Sequence, residues 1–467
     1  MPIFLKTYLT SFLFFVQLIA LGQINYDQTS GICTIISKSQ TKLAEINLNE
    51  LRTSPTPAKA KEKLGSFHIT PRKLNRYDLS TLQLVRSSNN SLFFKEGSKT
   101  FQINTKYLDS NQVIVTISSN QDYQQWQIEI NRIDEERFFG GGIQFSGYEE
   151  YIKSFEYLPK ENGIGRGSGS ISKWTKLAGV AGEHHDTYYP IPFLWSNQNR
   201  YLSFDDYSYT HCSLLEDKIK IYQIEDVMEF RIGFSKDISN HKEFKRTPIR
   251  KSPKWSYGTI VGIQGGQLVA KDRLHSLHEG DIKPEAIWIQ DWVGKRKTKF
   301  GSRLNWTWQA DSSYGDIEQF IDSMHATEIK VLGYVNPFFA EDGFYVREGL
   351  KKHYFVEGTD GNSLQFDFGG MKGYMLDLFD EEAFQWMSNI IQVEMISKGF
   401  DGWMADFAEW YPLHYEDRLN YALRKHIEYP ELWAKLNNEV AIKSGKDLYI
   451  FNRSGSCLLY TSDAADD

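Results

Sequence analysis

The chain has 467 residues, ordinary apolar and charged content and a formal net charge of -7. That length suits two large domains or three medium ones with ample core, and the mildly acidic balance gives a nucleic-acid role no electrostatic support. Three cysteines are too few for a disulfide framework; Cys33 and Cys212 are left open as a pair that an oxidising compartment would permit.

Residues 1–22 read as a secretory signal. Lys6 supplies the positive start, Phe12 to Val16 lies in the apolar stretch, and Ala20-Leu21-Gly22 offers small residues for cleavage before Gln23. The run is too short and too interrupted for a stable membrane span. An exported protein, periplasmic or extracellular, is therefore expected, with attachment to a surface and oligomeric state left open.

From Gln23 to about Asp237 the chain reads as strands. Val113 to Ile117 and Trp126 to Ile130 are β-rich runs split by Ser, Asn and Gln, and Lys218 to Tyr222 alternates at period two. Short strands at this spacing predict an antiparallel β-sandwich over residues 23–245. The stretch from Ser235 to Lys254, with Pro248, Pro253 and several basic residues, reads as the connection to a second domain.

The period then changes. Strands are expected at Thr259–Gln264, Ala286–Gln290, Lys330–Asn336, Asp401–Asp406 and Leu448–Phe451. Helices are expected near 268–279, 315–327, 381–398 and 430–444, the third capped by Asp380 and stopped by Gly399. Phe384, Met387, Ile391 and Met395 recur at helical spacing and are read as core. Strands alternating with helices imply parallel βαβ units. A (β/α)8 TIM barrel has eight of each, so residues 246–455 are expected to be a partial barrel that stops after about strand 5. Residues 456–467 continue no earlier pattern and are read as a non-native tail, with the natural gene product expected to run on past Gly455.

Five expected strands end in polar groups, namely Gln264, Gln290, Asn336, Asp406 and Asn452-Arg453. Strand ends run into polar loops anyway, but in a barrel the C-terminal tips carry the catalytic groups. Asp406 is the first candidate, as a nucleophile; its bland alternative is a cap for the following helix. Trp403, Phe407, Glu409 and Trp410 surround it, and carboxylates amid aromatic faces suit a sugar pocket. The loop from Gln290 to Trp308 interleaves Lys and Arg with Trp292, Trp306 and Trp308. A basic run is usually just solvated, but here Arg303 is suited to charge-assisted bonds with a small anionic sugar. His184-His185 has no supporting ligand pattern, so no metal is expected. Gly140-Gly141-Gly142 lacks the setting of a phosphate loop and is read as a tight turn near the mouth of the site.

Over roughly residues 140–455 these motifs resemble glycoside hydrolase family 31, and within it the sulfoquinovosidases. The resemblance is carried by Gly140–Phe145, Gly163–Gly167, Thr187–Phe193, Gly262–Gly266, the 290–308 loop and Gly402–Glu409. It implies a β-sandwich followed by a barrel, Asp406 as catalytic nucleophile, and Gln290, Arg303 and Trp306 as the sulfonate-binding set. It also matches Arg453 to an arginine near the sugar hydroxyls, with Asp291 as a further hydroxyl contact. No cofactor is implied. The resemblance puts the acid/base carboxylate on a sixth strand and a further sulfonate-site tyrosine beyond the end of this sequence, and Ala408 stands where glycine or asparagine is usual. The expected activity is retaining hydrolysis of a sulfonated α-glycoside. The alternatives are a neutral α-glucosidase or α-xylosidase and, for the chain as written, an inactive fragment.

Overall fold

The change of period in the sequence is matched by a change of sheet type. The computed structural model describes residues 22–63, 65–76, 83–143, 152–161, 173–174, 177, 186–204, 207–237, 251–299, 301–413 and 418–455. The expected signal, the tail, Gly163–Gly167 and His184-His185 lie outside these residues, as does the junction expected near residue 245.

Two eight-stranded sheets, antiparallel throughout, form the β-rich N-terminal region. The runs read from sequence appear as Gln112–Ser119, Gln125–Asn131 and Lys218–Gln223. Their alternate residues turn inward: Val113, Val115 and Ile117 from one sheet meet Ile128, Ile130, Ile219 and Ile221 from the other in a single core. This is the face-to-face packing that period-two patterning favours. Cys33 and Cys212 are free thiols buried in that core. Their strands belong to one sheet but are four strand positions apart, or about 19 Å at the usual spacing. A disulfide holds its Cα atoms within about 7 Å, so the open question of their pairing is answered by topology. Burial pushes the Cys33 thiol up to about 12 and raises that of Cys212 as well.

The parallel sheet begins at residue 260, and its strands are numbered here β1 (Ile260–Gly262), β2 (Ala286–Trp288), β3 (Lys330–Val335), β4 (Gly402–Ala405) and β5 (Tyr449–Asn452). They lie side by side in chain order, all parallel. The helices between them are α1 (Gln267–Glu279), α2 (Ile317–His325), α3 (Val346–Lys351), α4 (Glu381–Ile391) and α5 (Leu419–Ser444). Asp380 caps α4 as expected, its side chain accepting from Ala383 N at 2.8 Å. The helix then widens into a π-turn over Gln392–Ile396, ending short of the expected residue 398, and the turn after it closes at Gly399, whose φ of 96° is costly for any other residue.

Two parts differ from the sequence reading. Between β3 and α4 the chain builds a small antiparallel sheet of Phe338–Ala340, Gln365–Asp367 and Lys372–Met375. The helix expected from residue 430 starts at Leu419 and runs straight through Pro430. A proline inside a helix costs about 3 kcal/mol, and burial on both sides offsets it. Ala422, Leu423 and Ile427 sink into the N-terminal core, while Trp433, Leu436 and Val440 sink into the core of the parallel sheet. α5 therefore pins the two regions together. Among the described residues, no helix is long and apolar enough to cross a membrane.

Gly402 opens β4 with a φ of 154°, a conformation that leaves no room for a side chain. A Cβ at Gly402 would lie 1.8 Å from the carbonyl oxygen of Tyr449. The register runs Gly402 opposite Tyr449 to Ala405 opposite Asn452, so the next residues at the tips are Asp406 and Arg453.

Candidate active site

Asp406 follows the last residue of β4 and is 4% exposed. It caps no helix. Tyr334, from β3, donates its hydroxyl to Oδ2 at 2.7 Å, and Asn336 donates to the same hydroxyl oxygen at 3.1 Å. On the other side, Nε of Arg453 stands 2.8 Å from Oδ1. The approach is out of line with the N–H, so Oδ1 is an ion-pair partner that accepts no hydrogen bond. Burial raises the Asp406 carboxyl above its ordinary value, while Arg453 and Tyr334 oppose that rise. Their opposition favours the ionised form that a nucleophile requires.

Arg453 is the hub of the tips. Its Nη2 donates to Oε1 of Glu409 and lies 3.3 Å from Oε2 of Glu161, a residue of the N-terminal region. Its guanidinium is flanked by the rings of Phe407 at 4.5 Å and Tyr188 at 4.8 Å. Burial alone would weaken the cation, but Glu409, Asp406 and Glu161 together hold it above its ordinary value. Glu409 has no exposed surface, and burial pushes its carboxyl up to about 7 despite Arg453, with Glu161 and Asp406 adding to the rise. Such a value suits a general acid. With no accessible surface and its Oε1 on Arg453, however, Glu409 cannot reach a leaving group.

The basic loop sorts its residues by what they touch. Lys295–Thr298 and Gly301–Leu304 form a hairpin. Arg296 is taken by Asn305 at 2.8 Å and Asp342 at 2.9 Å, and Lys295 by Asp291 at 3.1 Å. Arg303 has no ion-pair partner among the described residues, and its Nε is buried without a hydrogen bond. The three tryptophans divide likewise. Trp292 donates to Tyr334 O at 2.8 Å and Trp308 to Phe338 O at 2.9 Å, so both are structural. Trp306 is 2% exposed and its Nε1 has no hydrogen-bond partner among the described residues. Its ring stacks on Phe338 and meets Phe407 edge-on at 5.5 Å, which carries the loop to the residue beside Asp406. Both Trp306 (φ 49°) and Phe407 (φ 62°) are left-handed, at a cost of about 1–2 kcal/mol each, and strain of this kind gathers where side chains must be aimed.

The remaining sequence candidates have plain positions. Gln264 donates to Oε1 of Gln290 at 2.6 Å, joining the tips of β1 and β2. Asp291 is buried as a clip: Tyr314 donates to its Oδ1 at 2.6 Å and Gly265 N to its Oδ2 at 2.8 Å. Gly140, Gly141 and Gly142 all have positive φ, and a Cβ on Gly142 would strike the carbonyl oxygen of Tyr189 at 2.0 Å. Their turn thus props the segment that carries Tyr188. Sequence reasoning did not name Tyr334, Glu161 or Tyr188. Tyr334 was findable as an inward residue just before the end of β3 and Tyr188 lay inside the Thr187–Phe193 motif without a role being given to it; Glu161 carried no local signal.

Residues 250–456 match the Glycosyl hydrolases family 31 TIM-barrel domain. The chain carries a family 31 barrel domain. It is 27% identical over 406 residues to the sulfoquinovosidase of Escherichia coli K12, covering 84% of this chain and 60% of that protein. It is 30% identical over 364 residues to the sulfoquinovosidase of Agrobacterium fabrum, covering 74% and 54%. The chain therefore spans little more than half the length of these relatives. In structure it resembles a family 31 sulfoquinovosidase from E. rectale in complex with an aza-sugar inhibitor, with a TM-score of 0.80, 28% identity, and coverage of 95% of this chain and 69% of that one. A dextranase of the same family from Flavobacterium johnsoniae, at 16% identity and a TM-score of 0.59, shares the fold.

Proposed function

We propose that this family 31 barrel serves a retaining α-glycoside hydrolase whose substrate is a sulfonated sugar. The observation that supports this most is a set of buried polar atoms without hydrogen bonds among the described residues: Oδ1 of Asp406, Oδ1 of Asn452 and Oγ of Ser454 at the strand tips, with Nε1 of Trp306 and Nε of Arg303 in the basic loop. Buried polar groups are almost always hydrogen-bonded, and a polar ligand is a natural partner for a cluster of exceptions. Arg303 and Trp306 supply N–H donors, one of them cationic, as a sulfonate demands. Asp406 supplies the anionic oxygen that an anomeric carbon demands.

In this reading Asp406 attacks the anomeric carbon as the aglycone oxygen leaves, and a glycosyl-enzyme forms. Water then releases the sugar with net retention. Both steps need a second carboxylate about 5–5.5 Å from the first, which the family resemblance leads us to expect on a sixth strand. Tyr334 and Arg453 favour the ionised form of Asp406 against the pull of burial. Gln290, joined to Gln264, and the Asp291 clip hold the loop that bears Arg303. No cofactor enters the scheme.

The test uses the protein at the length of its relatives, with an aryl α-sulfoquinovoside and the matching α-glucoside. Turnover of the first at a far greater kcat/KM, lost selectively in Arg303→Ala, is the expected result. Comparable rates on both, with equal losses in the variant, would make it a neutral α-glycosidase instead.

A further inference from the structure

We propose that Glu161, supplied by the N-terminal region, is a positioning residue for the Asp406 carboxylate, acting through Arg453. The inference rests on the nucleophile reading above and adds to it a contribution from outside the barrel.

Arg453 touches Asp406 through Nε, so the orientation of its guanidinium decides where that charge falls. Two rings fix the plane, Phe407 from the barrel and Tyr188 from the N-terminal region. Rotation within the plane is fixed by what holds Nη2, which is Glu409 on one side and Glu161 on the other. Glu161 is itself held. Tyr188 donates its hydroxyl to Oε1 at 2.5 Å, and the backbone N of Glu161 donates to Gly65 O at 2.9 Å. Gly65 in turn lies so close under Trp410 that a Cβ there would meet the indole at 2.4 Å. Gly455 N donates to Tyr188 O at 3.2 Å, so the tyrosine that holds Glu161 is itself tied to the end of β5. The arm carrying Glu161 is thus tied to both strands whose tips it serves.

The charges give this geometry a consequence. Around Asp406 and Glu409 stand Arg453, Glu161, Tyr334 and Tyr188, so three carboxylates draw on one guanidinium. Glu161 takes a share of the cation and adds negative potential that raises both neighbouring carboxyls. Without that charge, Arg453 is drawn wholly to Asp406 and Glu409. Asp406 then becomes a more tightly paired and poorer nucleophile, and Glu409 gives up its proton at lower pH.

Glu161→Gln and the gentler Tyr188→Phe test this with two readouts. The first is kcat and KM as functions of pH. The second is an infrared titration of the protonated carboxyl band, assigned to Glu409 by its loss in Glu409→Gln, and it needs no turnover. Glu161→Gln is expected to lower kcat about tenfold with KM changed less than threefold, and to move the infrared midpoint down by about half a unit or more. Tyr188→Phe should move both in the same direction by less. A folded Glu161→Gln protein with the wild-type pH profile and midpoint overturns the inference. If Glu161→Gln does not fold, an unmoved midpoint in Tyr188→Phe overturns it instead. If the wild type hydrolyses neither sulfonated nor neutral α-glycosides, the catalytic reading fails, and the infrared midpoint still decides whether Glu161 sets the charge state of this cluster.

Discussion

In the N-terminal sheets, Arg200 is satisfied on every side. Nε donates to Oε1 of Glu136 at 2.9 Å, Nη2 donates to the other oxygen, and Nη1 reaches the carbonyls of Leu43 and Asn131. At the tips of the parallel sheet, Arg453 faces three carboxylates and still leaves Oδ1 of Asp406 and Oε2 of Glu409 without hydrogen bonds. Arg200 is the deeper of the two, its side chain 4% exposed against 22% for Arg453, but depth is not the main difference. What separates them is balance. A buried cation matched by one anion and by carbonyls is architecture, whereas one shared among competing anions leaves groups with displaced proton affinities, as a reacting site requires.

The contrast can be broken most forcefully at Asp406. Asp406→Asn should lower kcat on a sulfonated α-glycoside by about 10⁴-fold or more with little loss of stability; substantial residual turnover in a steady-state assay would remove it as the nucleophile. Arg200→Met should do the reverse. Leaving Glu136 buried without its partner should cost about 3–5 kcal/mol in a denaturant titration, with the pH profile of activity unmoved. Arg303→Ala sits next. Losing a charge-assisted donor is worth about 1.5–3 kcal/mol, so kcat/KM on the sulfonated substrate should fall roughly 10- to 150-fold and that on the glucoside hardly at all. Trp306→Phe keeps the ring contacts and removes one neutral donor, about 1 kcal/mol, which calls for a several-fold loss in the same direction.

The remaining test reads stability rather than turnover, through its pH dependence. The Glu409 carboxyl lies at about 7 in the folded protein against an ordinary 4.5. The folded state therefore holds the proton more tightly. This group's contribution is fully present below about 4.5 and is lost as pH rises through 7. Glu409→Gln should flatten the stability curve across that window, measured by denaturant unfolding at successive pH values; an unchanged slope would contradict the buried, proton-holding carboxyl.

Much of the frame was legible because it repeats. Period-two runs became antiparallel strands, helical spacing in α4 became core, and a carboxylate after an apolar run at 402–405 became the tip of a parallel strand. What was hidden depends on distance along the chain. Glu161 and Arg453 meet across nearly 300 residues, and no local pattern records that. Trp292, Trp306 and Trp308 look alike in the loop; only the carbonyls of Tyr334 and Phe338, fixed by another strand, show that two are spoken for. The early part of α5 was missed because local propensity disfavours a helix that runs through Pro430 and cannot see two cores gripping it on either side.

The bare backbone of Gly402 faces the carbonyl oxygen of Tyr449 with no room for a side chain between them, and that contact sits four residues below Asp406, roughly 13 Å away at strand rise. A single methyl group there would wedge the two strands apart at their base and swing their upper ends out of alignment. The pairing of acid with guanidinium at the top thus depends on an absence at the bottom, and damage to the chemistry can begin at a position no substrate ever meets.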